Sequence, residues 1–114
     1  MEKRGEQIMA RPYSDKFILG LNNGDPKSKG VQLGKICVKA DLPAKYVADA
    51  FDVSRMSIHS WFRGNIIRNK NISKIDKFIE LVNNSLTDGD LPVSTLKHAK
   101  TYLETKIKPN LIRV

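Results

Sequence analysis

The chain has 114 residues, a formal net charge of +8 and a sequence pI of about 9.8, with 40% hydrophobic and 28% charged residues. That length holds one core, the apolar-to-charged balance excludes a disordered polymer, and no apolar run approaches the ~20 residues of a membrane span. One cysteine, Cys37, excludes an internal disulfide, two histidines are too few for a protein-only zinc site, and the surplus of positive charge points to a polyanionic partner.

Residues 1–13 read as a polar, mixed-charge arm, and Ser14 is placed to cap a short helical turn carrying Phe17, Ile18 and Leu21. In the turn cluster Asn22-Asn23-Gly24-Asp25-Pro26, Asp25 and Pro26 suit the N-cap and first position of the next helix. Leu33, Ile36, Cys37 and Ala40 then recur at i, i+3, i+4 and i+7, one face of a helix. Asp41-Leu42-Pro43 ends that helix and starts another, in which Ala44, Val47, Ala48 and Phe51 repeat the spacing. After Asp52-Val53-Ser54, Ile58, Trp61 and Phe62 do so again, until Gly64-Asn65 stops the helix. A further helix from about Asn71 to Leu86 puts Ile72, Ile75, Ile79, Val82 and Leu86 on one face, and Thr87 to Pro92 breaks it. The last, from Ser94 to about Ile107, turns Leu96, Ala99, Leu103 and Ile107 inward. Nothing alternates with period two, so the expected fold is all-α, a compact domain of five to six helices.

The link between Phe51 and Ser54 is too short to reverse the chain, so the two helices it joins must meet at a steep angle. Ala48 is small where their axes cross, Val53 is apolar and plugs the corner, and Ser54 can accept from the free N–H groups opening the next helix. This is the build of a helix-turn-helix, whose second helix enters the DNA major groove. Over residues 31–86 the chain resembles the XRE-type helix-turn-helix family of phage repressors and Cro. Val47-Ala48, Val53-Ser54-Arg55, Ile58, Trp61 and Arg63-Gly64 fall where that family's pattern places them. Two positions depart from it. Asp52 stands where the family has a turn glycine, and Phe62 replaces a commonly acidic residue, leaving an aromatic for a partner surface. The chain is thus expected to divide into an N-terminal arm and short helical turn at 1–25, a helix-turn-helix domain at 26–90, for which the resemblance implies DNA binding, and a C-terminal helix at 91–114, for packing or dimerisation.

With Ile58, Trp61 and Phe62 inward, helical geometry throws Arg55, Met56, His59, Ser60 and Arg63 outward. From Val53 through Ile75 there are five cations, Arg55, Arg63, Arg68, Lys70 and Lys74, and no Asp or Glu. Arg55 suits bidentate contact with a guanine edge, Met56 a thymine methyl, and His59 and Ser60 base edges one turn on. Ser54, Arg63, Arg68, Lys70 and Lys74 suit phosphates, which fix register without specifying sequence. Each residue has a plainer reading as solvated surface, and Trp61 reads as core. Lys3, Arg4 and Arg11 in the arm could reach a neighbouring groove, although Glu2, Glu6 and Asp15 dilute them.

These features fit a sequence-specific regulator of transcription that binds double-stranded DNA, as a homodimer through residues 72–107. Two other readings share the sequence: a phage DNA-packaging recognition subunit that forms a ring, and an antitoxin or polymerase-binding protein whose partner covers Met56, Trp61 or Phe62. No catalytic constellation, phosphate-cradling glycine loop or ligand set for a cofactor is visible, so an enzyme is not expected. The N-terminus lacks an apolar signal segment, which makes the cytoplasm, the host's if the chain is viral, the expected location.

Overall fold

A computed structural model describes residues 12–112, whose regular structure is all helical, without a strand. The helices are α1 (Asp15–Asn22), α2 (Lys29–Ala40), α3 (Ala44–Phe51), α4 (Arg55–Phe62), α5 (Asn69–Asp88), α6 (Leu96–Tyr102) and α7 (Lys108–Ile112), with a π-helical turn (Leu103–Ile107) joining the last two. α6, the π turn and α7 therefore run on as one rod. None of the helices described is long and apolar enough to cross a membrane. The arm residues Lys3, Arg4 and Arg11 lie outside the described residues.

Hydroxyl caps open most of the helices. Ser14, Ser28, Ser54 and Thr95 each accept a hydrogen bond from the amide three residues on. Ser28, rather than Asp25 and Pro26, sets the start of α2, because the Asp25 carboxylate is occupied by the Lys27 amide in a local turn. Thr95 likewise displaces Ser94 at the start of the rod.

Four successive helices end in one geometry. A left-handed residue lets the amide after it bond back five residues: Leu42 to Cys37, Val53 to Ala48, Asn65 to Ser60 and Asp90 to Ser85. Gly64 and Gly89 take that conformation freely, at φ 88° and 87°, whereas Asp41 and Asp52 occupy it at φ 57°. An aspartate there costs about 1 kcal/mol relative to glycine, so the turn at Asp52 keeps its shape without a glycine.

The inward faces meet in one core. Leu33, Cys37 and Ala40 of α2, Val47, Ala48 and Phe51 of α3, and Ile58, Trp61 and Phe62 of α4 are all buried. α2 is the central support, packing on α1, α4 and α5. Its Gly30 lies so close to the Trp61 backbone that no side chain fits between them, and the Lys29–Asp76 ion pair (2.7 Å) ties its first turn to α5. On α5 the buried stripe is turned from the expected one: Phe78 is fully buried beside Ile75 and Val82, while Ile72, Ile79 and Leu86 are half-buried. A 20-residue helix meeting several partners shows each of them a different side.

The rod buries Ala99, Tyr102, Leu103, Ile107 and Leu111 against α3 and α5, and Tyr102 donates to Ser85 Oγ (2.8 Å). Its apolar stripe thus covers the core of its own chain. Leu96, expected inward, is 49% exposed because it opens the rod beyond the reach of its neighbours. At the other end of the chain, Tyr13 belongs to the core rather than to a free arm. Its ring stacks on Phe17 and meets Phe62 edge-on, and its hydroxyl donates to the Leu42 carbonyl (2.6 Å).

Candidate functional site

α4 is held from three sides. The Schellman-type turn at Asp52 fixes its angle to α3, Ser54 Oγ accepts from the Ser57 amide (3.0 Å), and the Trp61 backbone abuts Gly30 of α2. Ser54 and Ser57 also share a hydroxyl hydrogen bond (3.0 Å), so the Ser54 oxygen is already committed to the cap. A phosphate can therefore call only on its amide or a reoriented hydroxyl.

The outward residues of α4 form two stripes about 100° apart, as one-residue steps on a helix require. Met56, Ser60 and Arg63 face an open groove of about 760 Å³ between α4 and the first turns of α5. Ser54, Arg68, Lys70 and Lys74 line the same groove. Seven of the nine sequence-derived candidates thus share one concavity, where four cations face a single carboxylate, Asp52. Arg55 and His59 lie on the other stripe. The His59 ring sits edge-on to Phe17 and Phe62, with centroids 6.5 and 5.8 Å away. Partial burial, and then repulsion from Arg55 and Arg63, lower its pKa below the ordinary histidine value. His59 is thus held toward its neutral form, in which one ring nitrogen accepts and the other donates.

Phe62 is buried beneath Tyr13 and Phe17, so it offers no aromatic to a partner, and Trp61 is buried too. Two groove residues escaped the sequence reading. Ile66, in the loop leaving α4, is 98% exposed and, with Met56 at 78%, sets two apolar tips among the cations. Asn71, on the first turn of α5, is only 8% exposed and makes no side-chain hydrogen bond to any described residue. Ile66 stands outside any helical period and gave no signal, whereas Asn71 lies four residues before Ile75, on the stripe that continues through Phe78 and Val82, and only its polarity made it read as surface.

Among the described residues, no three His, Cys, Asp or Glu side chains come together to hold a metal ion. Cys37 and Tyr13 are buried neighbours, and burial raises both pKa values, which keeps the thiol protonated. Comparison with protein-family models, curated proteins and solved structures finds no match for this chain.

Proposed function

We propose that the protein binds double-stranded DNA through α4 and the adjoining groove, and acts as a sequence-specific regulator of transcription. The observation that carries this reading is the clustering of Arg63, Arg68, Lys70 and Lys74 around one concave surface beside an exposed, rigidly seated helix. A groove with an excess of three positive charges attracts a polyanion, and a helix docked against its own backbone support presents side chains at fixed positions. In this arrangement α4 enters the major groove, with Arg55, Met56, His59 and Ser60 towards base edges. Ser54 and the four groove cations hold the flanking phosphates. Two molecules occupying neighbouring half-sites would then obstruct or reposition polymerase. Pairing through the buried stripe of the C-terminal rod is not part of this proposal, since that stripe is used within the chain.

The test is binding to random-sequence and selected duplexes across salt concentrations. Four phosphate contacts predict a log–log slope near about −3.6. Salt-independent binding, or none at low salt, overturns the reading. A second reading has its own support. Met56 and Ile66 are exposed apolar tips inside the cationic groove, a surface that suits an acidic amphipathic segment of a partner protein. There, Met56→Ser and Ile66→Ser abolish association with the partner and leave duplex binding absent in all forms of the protein.

A further inference from the structure

α5 begins in a way that is unfavourable for an isolated helix. Its N-cap is Arg68, which makes no side-chain capping bond, and its first turn holds no acidic residue. Arg68, Lys70 and Lys74 instead place positive charge at the positive end of the helix macrodipole. The amides of Asn69 and Lys70 find no acceptor among the described residues, whereas those of Asn71 and Ile72 return to the Arg68 carbonyl at 2.9 and 3.2 Å. Beside them stands Asn71, a residue more than nine-tenths buried that lines the groove and whose carboxamide has no described partner. Buried amides are otherwise almost always hydrogen-bonded. A cation-rich helix start, unclaimed amide donors and an orphaned carboxamide share one remedy, an oxyanion seated against the first turn of α5.

We propose that the groove between α4 and α5 is built around one phosphate group, held by the Asn69 and Lys70 amides and the Asn71 carboxamide N–H. Lys70 supplies the countercharge at this phosphate, while Arg63, Arg68 and Lys74 hold its neighbours. Asn71 is the residue that makes this a shaped site rather than a diffuse basic patch, because its donor is fixed by burial while the lysine tips are free to swing. The inference rests on the DNA-binding reading only for the source of the phosphate, a backbone phosphodiester. The cradle itself recognises any tetrahedral oxyanion of that size, so inorganic sulfate serves as a probe.

The experiment titrates sulfate against the isotope-labelled full chain at constant ionic strength, with chloride as the balancing ion, and follows backbone amide resonances. Saturable shifts confined to residues 69–72 are expected. Two variants separate recognition from folding. Asn71→Leu replaces an orphaned polar group with an apolar one of similar volume; it is expected to melt no lower than the parent protein and to lose the sulfate response. Asn71→Asp supplies its own anion to the helix start; it is expected to melt higher and also to lose the response. Duplex affinity falls roughly tenfold in Asn71→Leu, the equivalent of one charge-assisted hydrogen bond. A parent protein without localised sulfate shifts, or a leucine variant that keeps them or melts well below the parent, overturns the cradle. If duplex binding proves absent while the sulfate shifts are present, the DNA reading fails and the oxyanion site stands. Normal duplex binding without sulfate shifts sinks the cradle alone.

Discussion

Adding one methyl group at position 30 probes the contact that sets the seat of α4. A Cβ built on Gly30 would lie 2.6 Å from the Trp61 carbonyl carbon and 3.1 Å from its Cα, and closer still to the Trp61 carbonyl oxygen. Ordinary carbon contacts begin near about 3.5 Å, and all three obstacles are backbone, so no rotamer change relieves them. Either α4 moves outward by more than about an ångström or the α2 backbone bends. Overpacking of this sort costs typically 1–3 kcal/mol, against which alanine recovers about 0.5–1 kcal/mol of helix propensity. Because the obstacle is rigid, the upper part of the range applies, and the net loss for Gly30→Ala is about 2 kcal/mol. For a domain of this size, that lowers the melting temperature by roughly 10 °C. Gly20→Ala is the control. Gly20 is also helical, but its added Cβ meets nothing within 4 Å. Only the propensity term remains, and the variant should gain about 0.5–1 kcal/mol. Thermal unfolding followed by circular dichroism reads both. Equal melting temperatures for the two variants, or a stabilised Gly30→Ala, would refute the backbone-to-backbone seating of α4 on α2.

Three other outcomes are expected. Arg55→Ala should change which duplex sequence is preferred and cost about 1–3 kcal/mol on the favoured one, whereas Lys70→Ala should weaken all duplexes alike and reduce the salt slope by about 0.9; parallel effects in competition binding would void the division of roles. Tyr13→Phe removes a buried donor from the Leu42 carbonyl (2.6 Å) and should destabilise by about 1–2 kcal/mol in urea unfolding, with unchanged denaturant sensitivity. His59 has a folded pKa below its unfolded value, so the unfolded chain takes up its proton first as the pH falls. Its contribution is complete above about pH 6.5 and is lost as the pH drops from there through the lowered folded value. His59→Gln should flatten that part of the stability profile, and an unchanged profile would show that neither burial nor the charges of Arg55 and Arg63 disfavour the protonated ring.

Much of the fold could be read from spacing, because short amphipathic helices write their buried faces at i, i+3 and i+4. That rule found every buried residue it named on α2, α3 and α4, and Ser54 and Gly64 marked the two ends of α4. The rule weakened where one helix serves several neighbours. The stripe Ile72, Ile79 and Leu86 missed Phe78, since α5 turns different sides to α2 and to the C-terminal rod. Two glycines of α2 were silent for another reason. The need for no side chain at Gly30, and for little room at Gly34 beside Leu21 and Phe62, arises from helices distant in sequence. The groove was half legible. A run of five cations without a carboxylate announced a charged surface, but the sorting of Arg55 and His59 away from Met56 and Ser60 depends on where α5 lies. Ile66 followed no period at all, and Asn71 sits in register with Ile75, Phe78 and Val82 but was hidden by its polarity.

The seating of α4 also bears on how readily such a surface can drift. Its inward trio, Ile58, Trp61 and Phe62, is locked by the core, and its outward positions are not equally free. Ser60 accepts from the Asn65 side chain (3.0 Å), and His59 leans on two phenylalanine rings. Arg55 and Met56 project into solvent at the leading end of the helix. Mutation can thus change Arg55 and Met56 at little structural expense, while a change at Ser60 or His59 also disturbs Asn65 or Phe17. If α4 binds DNA as proposed, new recognition would evolve from the front of the helix backward.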